Sequence, residues 1–161
     1  MFYQNFFKKF IKFFTIISLS QLLVVSSFAA GGGGDDSKKI DVKSNYYYKA
    51  VKLINKKSYE AAIDNLLKAE KTNKKDADIY NYLGFSYRKM GNLDKAAQYY
   101  DKALKISPKH KGALEYQGEL FLQLGRLADA KQNLEEIQRI CWLPCDEEKQ
   151  LKEAIKLALK N

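Results

Sequence analysis

Three groups of residues have the types that chemistry uses. Cys141 and Cys145 bracket Trp142, Leu143 and Pro144, His110 is the single histidine, and Asp35 and Asp36 follow the glycine run Gly31 to Gly34. A redox dithiol or a haem attachment ordinarily has two residues between its cysteines, the latter with a histidine following; here three intervene and none follows. No further cysteine or histidine stands nearby to complete a metal site. A structural disulfide between Cys141 and Cys145 suits an oxidising compartment, and redox or metal-handling work by the same pair is the alternative. His110 sits in a turn just after Pro108 with no serine or thiol motif beside it, so a histidine-based triad cannot be assembled. The glycine run leads into Asp35 rather than into Lys-Ser or Lys-Thr, so it is no phosphate loop, and two adjacent acids are too few for calcium. The chain reads as non-enzymatic, with no catalytic residue, cofactor or metal.

The elements that would position any site are helices. From Ala77 to Pro108, Tyr80, Leu83, Gly84 and Tyr87 fall on one face of a first helix, and Ala96, Tyr100, Ala103 and Leu104 on one face of a second. Gly91 supplies the stop between them, Asn92 an N-cap, and Pro108 the end. Two short amphipathic helices cannot bury their faces alone. At a shift of 34 residues forward, Leu114, Gly118, Phe121, Gly125, Ala130, Leu134 and Ile137 repeat the pattern; at the same shift backward, Tyr46, Ala50, Leu53, Ala62, Leu66 and Ala69 do so, with Lys57 at the place of Gly91. Ser58 is the expected N-cap of that first repeat's second helix. After Pro144, Leu151, Ala154, Ile155, Leu157, Ala158 and Leu159 form another apolar face suited to covering the end of the third repeat.

A helix-turn-helix repeat of this period, with small residues paired as Gly84 with Ala96, Gly118 with Ala130 and Ala50 with Ala62, resembles the tetratricopeptide-repeat family. The resemblance implies an all-α, right-handed superhelix of about three repeats at 43–76, 77–110 and 111–144, closed by a capping helix at 145–161. The small pairs are expected to mark the close approach of the two helices in each hairpin. The outer repeats depart from the middle one: Lys49 and Gln117 stand where Leu83 does, and only the middle repeat has a proline at the place of Pro108.

In this family the first helix of each repeat lines an inner groove. Carried across position by position, the resemblance implies a partner-binding lining of Tyr47, Val51, Asn81, Tyr82, Phe85, Arg88, Glu115, Tyr116 and Glu119, a mixture of aromatic and polar groups of the kind that grips a protein or peptide. Some members hold a C-terminal carboxylate with a clamp of lysine, asparagine and arginine. The corresponding places here carry Tyr47, Val51, Tyr82, Gly112 and Tyr116, so that clamp is missing.

The first thirty residues are expected to stand apart from this fold. Lys8, Lys9 and Lys12 precede an apolar run from Ile16 to Val25 and then Ser26, Ser27, Ala29 and Ala30, the order of a secretory signal peptide at 1–29 cleaved after Ala29. An uncleaved anchor is the alternative. With a repeat module behind it, the segment points to a bacterial exported, periplasmic protein. Residues 30–42, rich in glycine and polar groups, are expected to form a flexible linker. Cleavage would remove three lysines and no acid, taking the formal net charge from +9 to +6. The remaining lysines are scattered without a stripe, which argues against nucleic acid and for solubilising outer faces, with weak attraction to a membrane surface or an acidic partner as the other reading.

Overall fold

The computed structural model describes residues 43–160; the expected signal peptide and linker, and Asn161, lie outside the described residues. The described residues form seven helices and no strand: α1 Asn45–Asn55, α2 Tyr59–Thr72, α3 Ala77–Lys89, α4 Leu93–Ile106, α5 Lys111–Gln123, α6 Leu127–Ile140 and α7 Asp146–Ala158. Helices α1 and α2, α3 and α4, and α5 and α6 pack as hairpins. The odd-numbered helices also touch in sequence, α1 with α3, α3 with α5 and α5 with α7. This is an all-α superhelical repeat array in which α7 stands where the first helix of a further repeat would.

The helix starts follow from their caps. Ser44 Oγ accepts from the Tyr47 amide at 3.4 Å, Asp76 Oδ1 from Asp78 at 2.9 Å, Asn92 Oδ1 from Lys95 at 3.1 Å and His110 Nδ1 from Ala113 at 3.0 Å. Ser58 occupies the N-cap position of α2, but its side chain makes no capping hydrogen bond. The turn inside each hairpin is one motif used three times. Lys57, Gly91 and Gly125, spaced by the repeat, are left-handed at φ 59°, 78° and 71°. The amide after each reaches back five residues, from Ser58 to Leu53, from Asn92 to Tyr87 and from Arg126 to Phe121, at 2.8–2.9 Å. These are Schellman bonds that satisfy carbonyls the helix ends leave open.

The core is built of small residues under large ones. Ala50, Ala62, Ala96 and Ala130 are wholly buried, with Leu66, Leu83, Tyr100, Leu120, Ile137 and Leu151 filling the space between helices. Each such large side chain contributes about 1.5–3 kcal/mol by leaving water. The ring of Tyr100 fills the space at Gly84: a Cβ there would lie 2.6 Å from Tyr100 Cδ1 and Cε1. The hole left by the missing side chain is large enough for an aromatic ring from α4, and the ring takes it. In the third repeat the hole over Gly118 is filled from outside the hairpin, by Leu151 of α7.

Candidate functional site

Helices α3 and α5 lie side by side in parallel, and three pairs of residues at a constant separation of 31 positions meet across their seam. Asn81 Nδ2 lies 3.3 Å from where a Cβ at Gly112 would be. The rings of Phe85 and Tyr116 are 4.9 Å apart. Arg88 forms an ion pair with Glu119. The helical period sets these rungs: positions 81, 85 and 88, and 112, 116 and 119, are each spaced by four and three and so share one face.

The seam carries charge in an unusually dry setting. Arg88 is 4% exposed, its Nε donating to the Tyr100 hydroxyl at 3.4 Å and its guanidinium lying 5.7 Å and 6.0 Å from the Phe85 and Tyr116 ring centres. Arg88 thus ties three helices, α3, α4 and α5, through one planar group. Lys89 stands over the outer face of Phe85 at 5.2 Å. Glu115 is 3% exposed, and its Oε1 has no hydrogen-bond partner; nor has Asn81 Oδ1, in a residue 5% exposed. Burial, with the Glu119 and Glu147 carboxylates alongside, raises the Glu115 carboxyl to about 8 against the smaller pull of Arg88. Burial, followed by the charge of Glu115, pushes the Tyr116 hydroxyl up to about 12.

Of the nine lining residues expected from the sequence, the structure brings Asn81, Phe85, Arg88, Tyr116 and Glu119 together on the seam, with Glu115 next to Tyr116 on α5. Tyr82 remains partly exposed and its ring lies 5.9 Å from Tyr47. Val51 is partly buried against the first core cluster. Tyr47 is 8% exposed: it shares a helical face with Ala50 and Ile54 in the first core cluster, and the Lys43 ammonium covers its ring at 4.2 Å.

A second polar cluster was missed. His110 Nε2 lies 2.7 Å from Asp78 Oδ1, and Asp78 pairs with Lys43, which also reaches Asp76 at 3.3 Å. Because Nδ1 accepts from the Ala113 amide, the proton sits on Nε2 and is donated to Asp78. That hydrogen bond and the Lys43 pair hold the Asp78 carboxyl well below its ordinary range. The cluster joins the starts of α1, α3 and α5. Its signal was available, since the caps Asp76 and His110 stand one repeat apart.

Cys141 and Cys145 are disulfide-bonded, with Cα atoms 6.1 Å apart. Cys141 closes α6 and Cys145 is the N-cap of α7, so the bond spans the turn that launches the capping helix. Trp142 at its tip is 95% exposed. Among the described residues no group of three or more His, Cys, Asp or Glu side chains is placed to hold a metal, and no helix is long and apolar enough to cross a membrane.

Two family models match the chain: one described as tetratricopeptide repeat over residues 77–110, the other as TPR repeat over 52–91. Residues 52–110 thus carry tetratricopeptide repeats. A curated relative, the uncharacterized protein ycf37 of Guillardia theta, is 32% identical over 92 residues, which are 54% of this chain and 52% of the relative. The chain thus aligns with about half the length of that relative. Among solved structures, the Yersinia enterocolitica type III secretion chaperone SycD in complex with a peptide of the translocator YopD superposes with a TM-score of 0.61 at 23% identity, over 71% of this chain and 87% of that one. The second TPR domain of human RPAP3 in complex with an HSP70 peptide, SGPTIEEVD, gives 0.62 at 18% identity, over 72% and 93%. At these identities the likeness is one of fold.

Proposed function

We propose that this tetratricopeptide-repeat array is a non-enzymatic adaptor that holds a peptide or partner protein on the inner face made by α1, α3 and α5. The observation that carries the reading is the α3–α5 seam, where the Phe85 and Tyr116 rings meet at 4.9 Å between a buried polar rung and a buried charged one. Aromatic rings offer contact area at little entropic cost, and fixed polar groups beside them select the partner. Structural neighbours of the same fold, SycD and RPAP3, are seen with peptides bound. The RPAP3 peptide ends in Glu-Glu-Val-Asp; the places in this chain that correspond to a carboxylate clamp carry no lysine, asparagine or arginine, and Arg88 is already paired with Glu119.

The adaptor works, on this reading, in a bacterial envelope. Support comes from the order of lysines, apolar run and small residues in 1–30 and from the Cys141–Cys145 bond, which an oxidising compartment favours. The scattered lysines allow weak association with a membrane surface and give nucleic acid no stripe to follow. Crosslinking capture from envelope extracts tests the face: Phe85→Ala with Arg88→Ala lowers partner recovery while helical circular dichroism is kept, and undiminished recovery moves the site off this seam. N-terminal sequencing of the mature protein tests the export, with Ala30 expected first.

A further inference from the structure

The seam has an unbalanced inventory of hydrogen-bonding groups. Its buried cation, Arg88, is ion-paired with Glu119 and donates from Nε to the Tyr100 hydroxyl, while its Nη2 makes no hydrogen bond. On α7, the Glu147 carboxylate that flanks Glu115 is itself paired with Lys111 at 3.7 Å. Two acceptors are left over. Glu115 Oε1 and Asn81 Oδ1 are buried without a partner, and the Asn81 side chain lies against Gly112, one helical turn before Glu115 and Tyr116. Leaving such groups dry and unmet costs free energy that a donor would recover, most of all a charged donor facing a carboxylate.

We propose that this end of the seam is a receptor for one basic side chain of the partner, a lysine or arginine whose ammonium or guanidinium sits against Glu115 and Asn81 with the Tyr116 ring beside it. The inference rests on the reading of the inner face as the partner-binding surface and specifies the chemistry of that partner. A cation supplies a donor to an unmet acceptor, favours loss of the proton that burial otherwise keeps on Glu115, and gains from an aromatic face. An acidic side chain meets Glu115, Glu119 and Glu147 instead. Gly112 contributes by omission, because any side chain there would press on Asn81, which a Cβ already approaches to 3.3 Å.

A positional-scanning library of short immobilised peptides, probed with the full chain, tests this. Lysine and arginine are expected to be enriched about tenfold or more over norleucine and glutamate at one position, a difference of about 1.4 kcal/mol. Glu115→Gln, which keeps shape and removes the ionisable carboxyl, is expected to flatten that preference, while Phe85→Ala lowers capture of all peptides and leaves the preference in place. Equal capture of norleucine, or a lysine preference unchanged in Glu115→Gln, overturns the inference; with capture still sensitive to Phe85→Ala, the inner-face reading survives. Capture indifferent to Phe85→Ala removes the inner-face reading and this inference with it.

Discussion

Leu151 fills the space that the missing side chain of Gly118 leaves, its Cδ1 2.6 Å from where a Cβ would be. The last helix is therefore keyed into the array by one leucine in one glycine hole. Gly118→Ala is expected to force Leu151 out of place and to cost about 1–3 kcal/mol, read as a lower urea midpoint. The same substitution in a Leu151→Ala background should cost much less; an equal cost in both would show that the two residues do not compete for this space.

Gly84→Ala makes a parallel test in the middle repeat with a stiffer opponent. The wholly buried Tyr100 ring cannot bend away as an isobutyl group can, and its hydroxyl also accepts from Arg88. The loss of stability is expected to match or exceed that of Gly118→Ala, at roughly 1–3 kcal/mol or more. An unchanged melting temperature would contradict the packing described.

The disulfide is expected to stabilise by about 2 kcal/mol, taking the chain-entropy relation to so short a loop. Cys141→Ser with Cys145→Ser should lower the denaturation midpoint and speed amide exchange in α7 ahead of α1 to α4. Thiol titration of the native protein should find no free cysteine, and two reactive thiols there would favour the redox alternative.

Protonation separates two carboxyls. Glu115 holds its proton in the folded chain up to about 8, whereas an unfolded glutamate loses it near 4.3. Its folded state is thus fully favoured below about pH 4, and that advantage is lost as pH rises toward 8. Asp78 behaves oppositely: held below its ordinary range by His110 and Lys43, it stabilises above about pH 4 and is lost in acid. Glu115→Gln should raise the melting temperature at about pH 9 and change it little at about pH 4, and Asp78→Asn should do the most harm at neutral pH. A Glu115→Gln effect that is the same at both pH values would show that this carboxyl does not titrate as described.

Much of the fold was legible because the repeat writes the same instruction three times. Gly91 and Gly125 marked the left-handed turns, and Ala50, Ala62, Ala96 and Ala130 the close-packed faces, with no knowledge of the tertiary arrangement required. What fills a hole was not legible. Which side chain of α4 fills the space at Gly84, and whether α6 or α7 covers Gly118, depends on where neighbouring helices cross. Tyr47 shows a different point: its spacing to Ala50 and Ile54 marks it as buried, which its motif position alone does not. The Lys43, Asp78 and His110 cluster joins three helix starts about one repeat apart, and the caps Asp76 and His110, 34 residues apart, are its sign in the sequence.

The three left-handed turns differ in one respect that bears on how the array comes apart. Gly91 and Gly125 adopt that backbone freely, but Lys57 holds it with a side chain, at a cost on the order of 1 kcal/mol. The strained turn lies in the first hairpin, and the covalent bond lies at the other end, beside α7. Where each hairpin leans chiefly on its neighbours, local stability need not be uniform along the chain. The array is thus expected to fray in one direction, from the α1–α2 hairpin toward the disulfide-anchored end, read as faster amide exchange in α1 and α2 than in α7.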